Sequence, residues 1–495
     1  MTVPLARLEQ IVATSGVGDL LAGALPPAVR HRQLRPGVLL IGMMAALDDG
    51  RPAHLTRVLA ALRALPEADQ RRLGVLEDWK NGPHLLTYRQ VEHTLAVLRP
   101  ALTRTDPDGT APPLLQQVAD LLLEASLPGW VTAASHALAV DWTDAEAWSH
   151  AVASGSVNPA EPEARWGHRN ANQHPQKGDM FWGYYLASAT AVHDEHGEKV
   201  PELARRMTVT SPARDPVPVL ADVLTAMPTD GIPLGDVLAD SGFSHRVASS
   251  WANPLRAAGA QLVEDLHPSD RGTQGTCQGA VICDGNLYCP ATPTALLTIT
   301  PLARAASHDQ ISAHDQRTRE RARYKLGLHT AEDADGYRRL ACPATAGKIR
   351  CPLRPGSMRL TRDRPEILTP PNQPPTCCTQ QTITVGPDVA AKTRQKHDYG
   401  TRAWRRSYAR RTAAERTYAT IKDPASTTIA RGWIRLLGLT PMMLYATCLL
   451  VVRNQRILTT YQTRADDEAH RAAAGQPPRA RRRRRALRAT PPAPP

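Results

Sequence analysis

HALAVDW at 136–142, MFWGYYLASATAVHD at 180–194 and RRMTVTSP at 205–212 are three apolar runs separated by loop-like sequence. Their length and composition predict three strands. VPVLADVLTAMP (217–228) reads as a helix closed by Pro228, and DVLADSGF (236–243) as a short strand running into a glycine turn. HRVASSWANPLRAAG (245–259) is helical in pattern, and AQLVEDL (260–266) is another strand. The order β-β-β-α-β-α-β predicts an α/β fold over residues 130–267.

Outside that segment the pattern changes. Residues 1–125 carry VLLIGMMAALDDG, HLTRVLAALRALP and LLQQVADLLLEASL, with apolar residues three and four apart. They predict an all-α N-terminal domain for DNA-end binding, dimerisation or plain packing. From 268 to 400 periodicity fades into a Pro-, Cys-, Thr- and Arg-rich insertion with short strands at GAVICDG, LLTIT and QTITV. Helix returns at 401–423, and a buried helix follows at 431–455, so that 401–460 completes the α/β core. The low-complexity end, 464–495, predicts a basic disordered tail.

The chain has 495 residues and a formal charge of +13. Residues 401–495 hold 20 Arg or Lys against 5 Asp or Glu, so the excess sits at one end. A block of that kind, with its Arg481–Arg485 run, is an electrostatic footprint for a polyanion, nucleic acid before membrane. No secretory leader is read at the start, and LLGLTPMMLYATCLLVV (436–452) is short, with Gly438 and Pro441 inside it, as in a buried helix rather than a span. The expectation is a cytoplasmic protein without membrane contact. Seven of the eight cysteines lie between 277 and 378. None has the C-x2-C spacing of a zinc site, so reduced cysteines packed as small apolar residues are the favoured reading, with structural Zn²⁺ in the insertion as the alternative.

The chemistry is concentrated in TRAWRRSYARRTAAERTYATIKDP (401–424). Tyr408, Arg411, Glu415 and Lys422 are separated by 3, 4 and 7 positions, which on a continuous helix places them on one face. A carboxylate there can bind Mg²⁺, and flanking cations and a phenol can grip phosphates. Arg411 and Glu415 also read as an ordinary i, i+4 surface pair.

Tyr408-x2-Arg411-x3-Glu415-x6-Lys422 resembles the Y-R-E-K signature of DDE transposases from bacterial insertion sequences, and all four positions match its spacing. The resemblance covers about residues 130–455. It implies an RNase H-like catalytic core and an acidic triad: one Asp on the opening strand, a second after the fourth strand, and the Glu on a later helix. Asp141, Asp240 and Glu415 occupy those places as catalytic and metal-binding residues, with Tyr408, Arg411 and Lys422 toward DNA. Asp240-Ser-Gly-Phe resembles the context of the family's second Asp. Asp144 and Glu146 compete with Asp141, and Asp222, Asp230 and Asp236 with Asp240. The resemblance further implies two Mg²⁺ (or Mn²⁺) ions, transposon ends and target DNA as partners, and a homodimer on paired ends. A nuclease without strand transfer and an inactive, transposase-derived DNA-binding protein are the other readings.

Overall fold

The fold was determined as a computed structural model, which describes all residues except 1–2, 26–33, 104–112, 170–179, 304, 424–428, 430 and 480–495. The mixed sheet is built from β1 (Ala137–Glu146), β2 (Arg165–His168), β3 (Met180–Val192), β4 (Leu203–Thr210), β5 (Asp236–Ala239) and β6 (Gln261–Glu264). β1 is central. It pairs antiparallel with β3 on one side and parallel with β5 on the other, and β5 pairs parallel with β6. The outer edge of β3 is shared by β2 and β4, both antiparallel. The expected α/β arrangement is thus present, with β2 as a strand that RWGH was too short to announce.

The sheet is covered on both faces, which explains why its strands read as near-continuous apolar runs. Side chains alternate across a strand. Leu138 and Val140 of β1 therefore join Leu220 and Leu224 of helix α1 (Pro216–Ala226) on one face. Ala137 and Ala139 join Leu238, Val263, Ala413 and Ala414 on the other. That second face is covered by helices α2 (Arg402–Tyr408) and α3 (Thr412–Ile421). Alanine against alanine lets α3 lie close to β1.

Several expectations need correction. The 1–125 region is not purely helical: Leu76–Trp79 and Gly82–Leu85 form a hairpin whose two loop residues are Lys80 and Asn81, with φ of 107° at Gly82, the first residue of the return strand. Nor does its core stand apart. Leu8, Leu40, Val58, Leu98 and Leu122 share one cluster with Leu186 and Met207 of the sheet and with Met442 and Leu450 of helix α4. α4 spans Leu439–Ala473, starting later and running further than expected. Its start follows Gly438, whose φ is 104°, and Pro441 fits the first turn, where its missing N–H costs nothing. Residues 464–473 are accordingly helix, not tail, while the Arg481–Arg485 run lies outside the described residues. The stretch 401–423 is not one helix: a 3₁₀ turn, Ala409–Arg411, separates α2 from α3.

The insertion holds more order than its composition suggests. Strands Thr273–Cys277, Ala280–Cys283 and Asn286–Tyr288 form one antiparallel sheet, and Gly327–Thr330, Arg338–Ala341 and Thr382–Val385 form another. LLTIT is not a strand, because Pro293 caps a helical turn at Thr294–Leu297. A 17-residue helix, His308–Tyr324, begins with a Ser307/Gln310 capping box. No helix among the described residues is long and apolar enough to cross a membrane.

Candidate active site

Strand parity decides where the acids go. Asp141 has the parity of Ala137 and Ala139, so its carboxylate lies on the α2–α3 face of the sheet. β1 does not end there but continues five residues, to Glu146. Asp236 and Asp240 share the parity of Leu238 and lie on the same face, Asp240 just past the end of β5. Across from them, the 3₁₀ turn and α3 present Arg411 and Glu415.

The three expected acids meet at one guanidinium. Arg411 Nη1 is 3.6 Å from Asp141 Oδ2 and 3.6 Å from Asp240 Oδ2, and Arg411 Nη2 donates to Glu415 Oε1. Each aspartate uses its other oxygen to fix its orientation. Asp141 Oδ1 accepts from Trp142 N at 2.8 Å, and Asp240 Oδ1 accepts from Gly242 N at 2.9 Å, capping the one-turn helix Ser241–Ser244. A capping role and a place in the site are therefore compatible for Asp240. Gly242 is required sterically, because a Cβ there would meet Trp142 Cη2 at 2.5 Å. Phe243 then packs edge-on against Trp142, with ring centroids 4.7 Å apart, and against Trp251. The Asp-Ser-Gly-Phe turn is thus an aromatic floor under the two aspartates.

α3 is pinned to the sheet by polar groups that sequence patterning did not single out. Tyr418 is buried, and its hydroxyl lies 2.8 Å from Asp141 O, 2.8 Å from Ser188 Oγ, which donates to it, and 3.2 Å from Leu186 O. Thr417 and Thr190 hydroxyls bond at 2.9 Å. These contacts set the axial position of α3 and hence of Glu415. A buried Tyr reads from sequence as core, so nothing in the pattern distinguished it.

The remaining expected residues are placed differently. Tyr408 stacks on Trp404, with centroids 4.7 Å apart and planes at 10°, and Arg411 lies over its ring at 6.0 Å. Lys422 does not join the Arg411 cluster. It is the C-cap of α3, and its Nζ donates to Asp144 Oδ1 at 2.7 Å. The 3₁₀ turn at Ala409–Arg411 breaks the ideal 100° count between Tyr408 and Glu415. Three of the five competing acids are engaged elsewhere: Asp144 also by Arg169, Glu146 by Arg169, and Asp236 by Arg410 and Lys396.

Charge balance around Arg411 is unequal, three carboxylates to one cation. Burial, and then the neighbouring Asp240, push the Asp141 carboxyl up to about 7, with Arg411 pulling the other way. Arg411 Nη1, though buried, makes no hydrogen bond. The donor set is all carboxylate oxygen, which suits a hard divalent cation. Among the described residues only His245, His267 and Asp270 have ligand atoms all within 4.8 Å of one another; Asp141, Asp240 and Glu415 stand farther apart, around the Arg411 guanidinium. In the His245 group Lys392 Nζ already sits 2.7 Å from Asp270 Oδ2.

Comparison with known proteins adds nothing to this geometry: no protein-family model, no curated protein and no solved structure matches the chain.

Proposed function

We propose that this chain is a DDE transposase, an RNase H-like enzyme that uses Asp141, Asp240 and Glu415 to hold Mg²⁺ or Mn²⁺ for cutting and rejoining DNA strands. The observation that carries the reading is the convergence of those three carboxylates, from a central strand, a strand end and a distant helix, on the Arg411 guanidinium. The strand plan supports it too: antiparallel β4-β3-β1 continued by parallel β5 and β6, with the short β2 added at the edge. Asp141 sits on the first strand and Asp240 after the strand that follows the first crossover helix, as the resemblance implies.

When bound, divalent ions would activate the attacking oxygen and stabilise the leaving one. The chain's own residues supply the rest. The three carboxylates bind and space the cations. Arg411, released from part of its carboxylate contact, is left to grip a phosphate. Tyr418 and Thr417 keep Glu415 at its height above β1. Successive attack by water and then by the exposed 3′-hydroxyl needs neither a covalent enzyme intermediate nor ATP, and no P-loop sequence is present. DNA ends and target DNA are the partners of this reading, with a homodimer to pair the ends.

The test is metal-dependent nicking of supercoiled DNA, followed by strand transfer of a labelled end taken from the flanks of the coding sequence. Nicking that needs Mn²⁺ or Mg²⁺ and is lost in Glu415→Gln is expected. DNA binding without any cleavage would reject the enzyme reading, and cleavage without joining would reduce it to a nuclease.

A further inference from the structure

We infer that the insertion carries a structural zinc site formed by Cys289, Cys342, Cys351 and Cys378. The four come from separate segments that strand pairing gathers. Tyr288 bridges Lys325, and Leu326 N donates to Leu287 O, which sets Cys289 beside the start of the second small sheet. In that sheet Ala341 pairs with both Gly327 and Thr382. Cys342 follows directly, its N–H donating to Gln381 O at 3.3 Å, three residues beyond Cys378. The loop after Cys342 turns on itself, Ala346 N to Cys342 O and Lys348 N to Pro343 O, each at 2.9 Å, and returns the chain to Cys351.

All four are free thiols, and all are buried. Cys289, Cys342 and Cys351 share one small cluster, and Cys378 lies with Cys377 in a second one. Four soft donors favour Zn²⁺ over the hard ions suited to the acid cluster.

The architecture gives zinc a role. The two small sheets have strands of 3–5 residues, too short to bury much apolar area. A tetrahedral thiolate centre would supply the missing folding free energy. No three of these sulfurs stand within 4.8 Å of one another among the described residues, so zinc ligation requires that the side chains be drawn together.

The experiment is metal analysis of the full chain purified without chelators, with Co²⁺ substitution as the second readout. Expected are about one zinc per chain, release of that zinc by a thiol-blocking mercurial, and thiolate-to-cobalt charge-transfer absorption after exchange. Cys342→Ser and Cys351→Ser should lose the metal, while Cys277→Ser keeps it. A full chain that holds no zinc and gives no thiolate–cobalt band overturns the proposal. So does zinc retained at the same level in both ligand variants. If those variants do not fold, the cobalt spectrum of the full chain decides alone. None of these readouts depends on DNA chemistry.

Discussion

The two faces of the central sheet are made from the same strands and do different things. Toward α1, β1 presents Leu138 and Val140, closed over by Leu220, Leu224 and Phe243. Toward α3 it presents Ala137, Ala139 and Asp141, and β5 adds Asp236 and Asp240. The first face is dry and large-residued, which is how a sheet gains stability. The second uses alanines to bring a helix close, then leaves carboxylates with too little positive charge. On the proposed reading, the difference assigns the acid cluster to function rather than to holding the fold. A site that concentrates like charge in a part-buried position trades stability for a function.

The comparison can be broken from either side. The largest expected effect is on activity. Glu415→Gln should reduce metal-dependent DNA nicking on the order of 10³-fold, as loss of one member of a catalytic unit does, with the thermal midpoint nearly unchanged. Near-normal nicking would remove the functional face from the account. On the opposite face, Leu220→Ala should cost about 2–5 kcal/mol in denaturant unfolding without altering Mn²⁺ affinity of the folded protein. A loss of Mn²⁺ affinity would mean that the two faces are not separable.

Intermediate effects sharpen the picture. Asp141→Asn should stabilise the protein at pH 8, by on the order of 2 kcal/mol. The sign follows from the raised carboxyl, which burial and then Asp240 push to about 7. The folded state binds the proton more tightly than the unfolded chain, so the wild type loses stability as pH rises from about 4 to about 7. The gain from Asn is therefore full above pH 7 and vanishes below pH 4, and unfolding curves at both pH values would show it. Tyr418→Phe should cost about 1–3 kcal/mol, because it strips a hydrogen-bond partner from buried Ser188. It should also slow nicking by displacing α3, a loss that a purely structural tyrosine would not produce once the protein is folded. The smallest effect belongs to Lys422→Ala: its pair with Asp144 is partly exposed, and the change should stay within about 1 kcal/mol.

How much of this was legible differs by element. The α/β order and five of the six strands of the sheet were readable because each rests on a local rule, whereas the three acids were named through a resemblance and the structure brings them around Arg411. Apolar runs mark strands, side chains alternate, and a fixed spacing links Arg411 to Glu415. What was missed depends on distant contacts or on overlooked turn chemistry. Lys422 follows the spacing but turns to Asp144, since α3 ends beneath it. The Ser307 capping box carried a signal that periodicity overrode. The helix His308–Tyr324 is polar on most sides and is anchored through Arg321 to Asp284, an ion pair that no apolar stripe reveals. Tyr418 could not be told from core, because its hydroxyl partners lie some 230 residues or more away in sequence.

The central claim is that Asp141, Asp240 and Glu415 form one divalent-cation site. Mn²⁺ binding followed by electron paramagnetic resonance tests it most directly, comparing the wild-type chain with Asp141→Asn, Asp240→Asn and Glu415→Gln at pH 8. Each single substitution should weaken Mn²⁺ binding by about tenfold or more. Isotherms that superimpose on the wild type in all three variants would contradict the account.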